Sequence, residues 1–211
     1  MTIDTSTGEA RARVRTALLP KDLARTIGTE VAVVLSPVAP PRLWGMVTQS
    51  SIESILRACE NQTHTSALPA RCAEFATRAV THLRSRLIEP NLTIDAHVAI
   101  AVVAPRVVHL ALTGGVRAYR VRNGNVERLQ PRAEEVRPLG LSAPHYATES
   151  FDRGDWLLLG TPEAFSIRSV SALTTLLGRG PDTSPSTVRD SMLLPAHETQ
   201  HGGAIAVLRS L

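Results

Sequence analysis

Lysine is almost missing from these 211 residues: Lys21 is the only one, although the formal net charge is +4. Nearly all positive charge is therefore arginine, and the arginines are scattered. No run of five like charges makes a basic arm, so the electrostatic footprint of a nucleic-acid binder is absent. Arginine in place of lysine reads as the codon bias of a GC-rich bacterial genome. Aromatic residues are scarce at 3%, so the core has to be built from Val, Leu, Ile and Ala. Cysteine is limited to Cys59 and Cys72. They form neither a CxxC pair nor a disulfide framework, which predicts a reducing, cytoplasmic compartment. No apolar stretch reaches the ~18 residues of a membrane span. The polar N-terminus does not read as a signal peptide, so no membrane partner is expected. Without a secretion signal, the glycosylation patterns at Asn61-Gln62-Thr63 and Asn91-Leu92-Thr93 are discounted.

What is present is an ordinary globular balance, 43% hydrophobic and 20% charged, with length for one sizeable core. Residues 1–9 read as a disordered lead and residues 10–211 as a single domain. From Ala10 to Leu19 apolar positions alternate with Arg11, Arg13 and Arg15, the pattern of a half-buried strand. Glu30 to Leu35 is a continuous apolar run, fitting a strand covered on both faces, and the prolines of Ser36 to Pro41 predict a loop after it. Ser50 and Glu53 form a capping box at the start of a first helix. A second helix is expected from Pro69 to about Ile88, with Ala73, Ala76, Val80, Leu83 and Leu87 on one face.

The period then changes. Thr93–Ala104 and Arg106–Thr113 are rich in strand formers. Asn123-Gly124 between Val116–Val121 and Asn125–Leu129 predicts a two-residue hairpin, because both turn residues must take positive φ. Ala147–Phe151 and Trp156–Leu159 read as a further pair joined by Asp152 to Asp155. Thr161-Pro162-Glu163 reads as a helix start, with Thr161 as the cap and Pro162 in the first turn. Ala164, Ile167, Val170, Leu173 and Leu177 would line that helix, and Ser186–Leu194 a shorter one. Ala204–Leu208 reads as a final buried strand. This order predicts an α+β fold, an antiparallel β-sandwich with helices packed outside the sheets.

Three stretches carry a resemblance. Leu112 to Val121 (LTGGVRAYRV), with Asn123-Gly124 and Val126 to Leu129 behind it, is similar to a "GDSRAYL…dGklerLT" hairpin. Pro138-Leu139-Gly140 with Phe151 to Leu159 (FDRGDWLLL) is similar to "LG…l.pGDwlLLcSDG". Gly202 to Leu208 (GGAIAVL) resembles a closing "DNiTvvv" strand, and Val33 to Pro40 falls where "vvaDGvGG" would stand. Together they resemble the PPM-type (metal-dependent type 2C) Ser/Thr protein phosphatases, from about Val31 to the C-terminus. The resemblance implies α-β-β-α layers and a cleft where aspartates hold two Mg²⁺ or Mn²⁺ ions that activate a water.

Carried over by position, those aspartates fall on Ser36, Pro162 and Gly202, and the aspartate of "GDSRAY" falls on Gly115. Pro37 and Glu163 stand where two family glycines would be. Lys21-Asp22 corresponds, in a loose register, to the family's Glu-Asp pair. The resemblance thus implies a fold without its metal ligands. The expectation is no enzyme, no catalytic residue and no cofactor, but a pseudophosphatase acting as a regulatory or assembly subunit. A protein partner, such as a component of a Ser/Thr kinase pathway or a larger complex, is expected, and nucleic acid is not. Arg117, Arg120 and Arg122 are candidates for the partner surface. The alternatives are a divergent phosphatase holding Mg²⁺ or Mn²⁺ through Asp22, Asp152, Asp155 or Glu163, and an unrelated sandwich without phosphate chemistry. His197 to His201 (HETQH) matches the H-E-x-x-H zinc pattern, but Pro195 before it and two glycines behind it predict a polar loop. His97 and His109 read as sheet histidines, and Gly114-Gly115 as a tight hairpin entry.

Overall fold

The structure is a computed structural model that describes residues 1–10, 21–28, 30–60, 65–87, 92–129, 137–177, 183–199 and 202–211, with only the backbone of 167–170. The strands are β1 (Ile3–Ala10), β2 (Leu23–Ile27), β3 (Val31–Val38), β4 (Asp95–Ala104), β5 (Val107–Leu112), β6 (Arg117–Arg122), β7 (Asn125–Arg128), β8 (His145–Ser150), β9 (Trp156–Gly160) and β10 (Gly203–Ser210). The helices are α1 (Trp44–Cys59), α2 (Leu68–Arg86), α3 (Ile167–Leu177) and α4 (Pro185–Leu193). One sheet has the order β1-β10-β9-β6-β7 and the other β2-β3-β4-β5-β8. Every pairing is antiparallel.

The layers follow from strand alternation. In β3, Ala32 and Val34 face the other sheet, whereas Val33 and Leu35 face α1 and α2. In β9, Leu157 and Leu159 point between the sheets while Leu158 points toward α4. Because helices cover both outer faces, the central strands β3, β4, β9 and β10 are buried along nearly their whole length and lose the polar half of the usual alternation. Each large aliphatic side chain buried this way contributes about 1.5–3 kcal/mol. The inter-sheet layer is rich in alanine (Ala24, Ala32, Ala99, Ala101, Ala118, Ala204, Ala206) with Phe151 as its one buried aromatic, which fits a core poor in aromatics.

The structure departs from the sequence reading at several places. The expected disordered lead contains β1, which pairs with β10 from Ile3 opposite Ser210 to Ala10 opposite Gly203. A polar edge strand has no apolar run to announce it. The arginine-bearing stretch after Ala10 lies outside the described residues. The first helix begins at Trp44, not Ser50: Pro41–Leu43 form a 3₁₀ turn and Trp44 Nε1 donates to the Ala39 carbonyl at 2.7 Å. Ser51 is fully buried inside that helix, and Glu53 accepts from Gln49 rather than capping. Strand β3 continues through Ser36 and Pro37, which the sequence assigned to a loop. Its neighbour β2 pairs only as far as Leu35, so no β2 carbonyl stands opposite Pro37 to need the N–H that proline lacks.

The pair expected around Asp152–Asp155 is not a hairpin. Strand β8 pairs with β5 and β9 with β6 and β10, so the turn carries the chain from one sheet to the other. The helix expected from Thr161 is split into a 3₁₀ turn, Pro162–Phe165, and α3, and the Thr161 side chain makes no cap bond.

The hairpin between β6 and β7 forms as the sequence predicts, with Asn123 at φ +51° and Gly124 at φ +77°. A Gly124→Ala change adds no clash but forces alanine into the left-handed region. It is expected to lower stability by about 1 kcal/mol in urea denaturation, with the m-value unchanged.

Candidate functional site

Strand parity brings a set of polar side chains to one end of the sandwich. Val34 faces the opposite sheet, so Ser36, two residues on, shares that face. The same rule places Asp22 with Ala24, His97 with Ala99, and Thr161 with Leu159. Register puts them at one end: His97 is opposite Ser36, Leu23 opposite Leu35, and Gly160 opposite both Ile205 and Arg117. Gly115 and Gly202 lie just before β6 and β10 at that same end.

Asp22 is the centre of this buried cluster. It is 2% exposed, and the hydroxyls of Ser36 from its own sheet and Thr161 from the other act on its carboxyl group, each favouring the charged form. Its Oδ1 has no hydrogen-bond partner among the described residues. Burial pushes its pKa up to about 6, only partly offset by the Ser36 hydroxyl and the Lys21 ammonium, while the Glu163 carboxylate adds repulsion. Thr161 also accepts from the Ala204 amide at 3.2 Å, and its own amide donates to the Ala204 carbonyl at 3.0 Å. What looks like a helix cap in sequence is a clamp between β9, β10 and Asp22.

His97 lies opposite Ser36 in the ladder and packs against Gly115. A side chain at Gly115 would meet its ring, with Nε2 2.8 Å from the added carbon. The imidazole thus occupies the space that a residue larger than glycine at 115 would take. Its Nδ1 is buried with no partner among the described residues. Burial lowers its pKa, Asp95 pulls the other way and Lys21 adds to the lowering.

The remaining candidates sort by place. Pro162 opens the 3₁₀ turn and Glu163 follows it, half-buried and close enough to Asp22 for their charges to repel. Gly202, at φ +70°, donates its amide to Thr199 Oγ1 at 3.0 Å. Asp152 and Asp155 lie elsewhere. Asp155 precedes β9 and Thr161 follows it, which separates them by roughly 20 Å of strand. Asp155 accepts from Arg122 Nε at 2.9 Å, and Asp152 from Arg122 at 3.0 Å. Arg120 donates to Glu127 at 2.6 Å and to the Ser150 carbonyl at 3.0 Å, and Arg117 reaches the Phe165 carbonyl at 3.4 Å. These three arginines bind other parts of the chain, and Arg120 and Arg122 stitch one sheet to the other. Arg11, Arg13 and Arg15 lie outside the described residues, as do Gln200 and His201. His197 and Glu198 are exposed in a 3₁₀ turn, Pro195–Glu198, and no group of three or more His, Cys, Asp or Glu able to hold a metal occurs among the described residues. No helix among the described residues is long and apolar enough to cross a membrane.

No protein-family model and no curated protein matches the sequence. Solved structures do match the fold. PppA, a key regulatory component of T6SS in Pseudomonas aeruginosa, superposes with a TM-score of 0.83 at 16% identity, covering 100% of this chain and 99% of that one. The PPM Ser-Thr phosphatase MsPP from Mycobacterium smegmatis gives 0.74 at 15% identity, over 100% and 98% of the two chains. The catalytic domain of the serine threonine protein phosphatase PstP, in complex with two manganese ions, gives 0.79 at 14%, over 99% and 98%. The chain has the PPM-type phosphatase fold. Ser36, Pro162 and Gly202, which the sequence resemblance matches to metal aspartates, lie at one end of the sandwich, and Gly115 lies with them. Two members of that cluster are not legible in the sequence. The sequence pattern marks Thr161 as a cap and His97 as a sheet histidine. Only the register of β4 against β3, which sets His97 opposite Ser36, could have signalled the second.

Proposed function

We propose that the chain is a pseudophosphatase, a PPM-type fold that binds a protein partner without hydrolysing phosphoester bonds. The observation that carries this reading is the donor set around Asp22. A pair of divalent cations calls for several anionic oxygens to offset the cost of dehydration. The cluster offers one buried carboxylate whose proton affinity is raised, two hydroxyls, a lysine and the half-buried carboxylate of Glu163. Pro162 and Gly202 supply no side-chain oxygen. These residues do not fit a two-metal centre, so no hydrolytic step is derived through one. The remaining role is recognition by a rigid sandwich, with a Ser/Thr kinase pathway component or a larger cytoplasmic assembly as the kind of partner. The cation-bearing rival keeps one point in its favour, that Asp22 and Glu163 sense each other's charge.

A phosphopeptide and an aryl phosphate, each incubated with the purified chain and millimolar Mn²⁺, should show no turnover above the metal-only blank. Calorimetric titration with Mn²⁺ should show no binding heat. Metal-dependent turnover that disappears in Asp22→Asn would overturn the proposal in favour of the rival.

A further inference from the structure

We infer that Cys59 and Cys72 form a redox-modification site, which a peroxide converts reversibly to a disulfide. The inference is independent of what the cleft does. Cys59 is the last residue of α1 and Cys72 lies in the second turn of α2, thirteen positions later, yet their sulfurs are 3.7 Å apart. Neither is bonded to another cysteine. A disulfide needs about 2.05 Å, so the sulfurs must close by about 1.7 Å, within reach of a side-chain rotation at a helix end.

The two thiols are not equivalent. Cys72 is fully buried in the core between α1, α2 and the sheet, whereas Cys59 is half-buried at its rim. Hydrogen bonding from Cys72 holds the Cys59 thiol below the usual range, and the same contact together with burial pushes Cys72 up. Cys59 is therefore the thiol that meets an oxidant and Cys72 the one that resolves the product.

The chemistry balances with hydrogen peroxide as the oxidant. The Cys59 thiolate attacks one peroxide oxygen, the O–O bond breaks, and hydroxide leaves as water after taking the proton released by Cys59. This leaves a sulfenic acid. The Cys72 sulfur then attacks the Cys59 sulfur, the S–O bond breaks, and the hydroxyl departs as a second water with the Cys72 proton. Two thiols and one peroxide become one disulfide and two waters, and a dithiol reductant reverses it. The bond would tie the end of α1 to the start of α2. These helices pack on the sheet whose strands β3 and β4 carry Ser36 and His97.

The full chain, treated with hydrogen peroxide and then alkylated, should lose two hydrogens in intact mass. It should yield a tryptic cross-link between the Cys59 and Cys72 peptides that dithiothreitol removes. Oxidation should raise Tm by about 5 °C, and the Cys59→Ser/Cys72→Ser protein should show no such shift. Cys72→Ser should accumulate a dimedone-reactive sulfenic acid at Cys59, and Cys59→Ser should leave Cys72 unreactive. Over-oxidation of Cys59 with Cys72 untouched, or an intermolecular dimer through Cys59, would overturn the inference. Equal reactivity of Cys72 in Cys59→Ser would overturn the assignment of roles.

Discussion

Replacing Asp22 by asparagine should make the protein more stable at pH 7.5 by about 2 kcal/mol and leave it nearly unchanged at pH 4. Most substitutions of a fully buried polar residue destabilise, so the sign is the test. The carboxyl group has a folded-state pKa of about 6 against an ordinary value of 3.8. Below 3.8 it is protonated in both states and costs nothing extra. Between 3.8 and 6 the folded protein holds the proton that the unfolded chain releases, and stability falls as pH rises. Above 6 the folded state carries a buried, poorly compensated charge, worth about 3 kcal/mol at about 1.4 kcal/mol per unit.

Asparagine has nearly the same shape and does not titrate. Ser36 and Thr161 can still donate to its oxygen, but its amide hydrogens face the side where Oδ1 lacks a partner. That loss is why the expected gain is about 2 rather than 3 kcal/mol. Urea denaturation of both proteins at pH 4, 5, 6 and 7.5 measures it. A variant less stable than the parent at pH 7.5 would mean that the carboxylate is compensated, as a bound cation would do. A group that costs stability where it sits is a mark of a retained site rather than of packing.

The second large effect is expected at Gly115. Gly115→Asp restores the residue type that the resemblance places there, and it should cost about 3 kcal/mol, because the new side chain lands in the His97 ring. The near side of the imidazole is in the way, so no small rotation of a flexible tip relieves the overlap. His97→Ala alone should cost about 1 kcal/mol through lost packing. The double change should then be less destabilising than the sum of the two by at least about 1 kcal/mol. Strict additivity would show that the ring and position 115 do not share space. If the coupling is found, the histidine and the glycine are one substitution made in two places, and restoring the carboxylate alone cannot rebuild the family cleft.

Much of the fold was legible because its signals are local. The apolar run from Glu30 to Leu35, the Asn123-Gly124 turn, the helix expected at Ser186–Leu194 and the two strands on either side of Pro105 each depend on neighbours a few residues apart. The resemblance at Arg117-Ala118-Tyr119 and Gly154-Asp155-Trp156 added the layers. Local reading also misled where two local solutions competed. Ser50 and Glu53 satisfy a capping pattern, but the buried stripe Val47, Ile52, Ile55 and Ala58 draws the helix back to Trp44. Thr161 satisfies a cap pattern too, yet its oxygen accepts from the Ala204 amide and acts on Asp22 across the sandwich.

The sequence by itself determined that helices cover two antiparallel sheets, and its resemblance to a family supplied the expectation that Ser36, Pro162 and Gly202 replace aspartates. Only the tertiary structure decided which residues meet. It sealed Asp22 between two hydroxyls from different sheets, pressed His97 into the space above Gly115, and set Cys59 against Cys72. It also turned the Asp152–Asp155 stretch into a crossover and bound Arg120 and Arg122 to the opposite sheet. The reason is physical. Periodicity fixes which face of a strand or helix a side chain takes, within a few residues. Which faces then touch depends on register and packing between segments dozens of residues apart, and no local pattern encodes those.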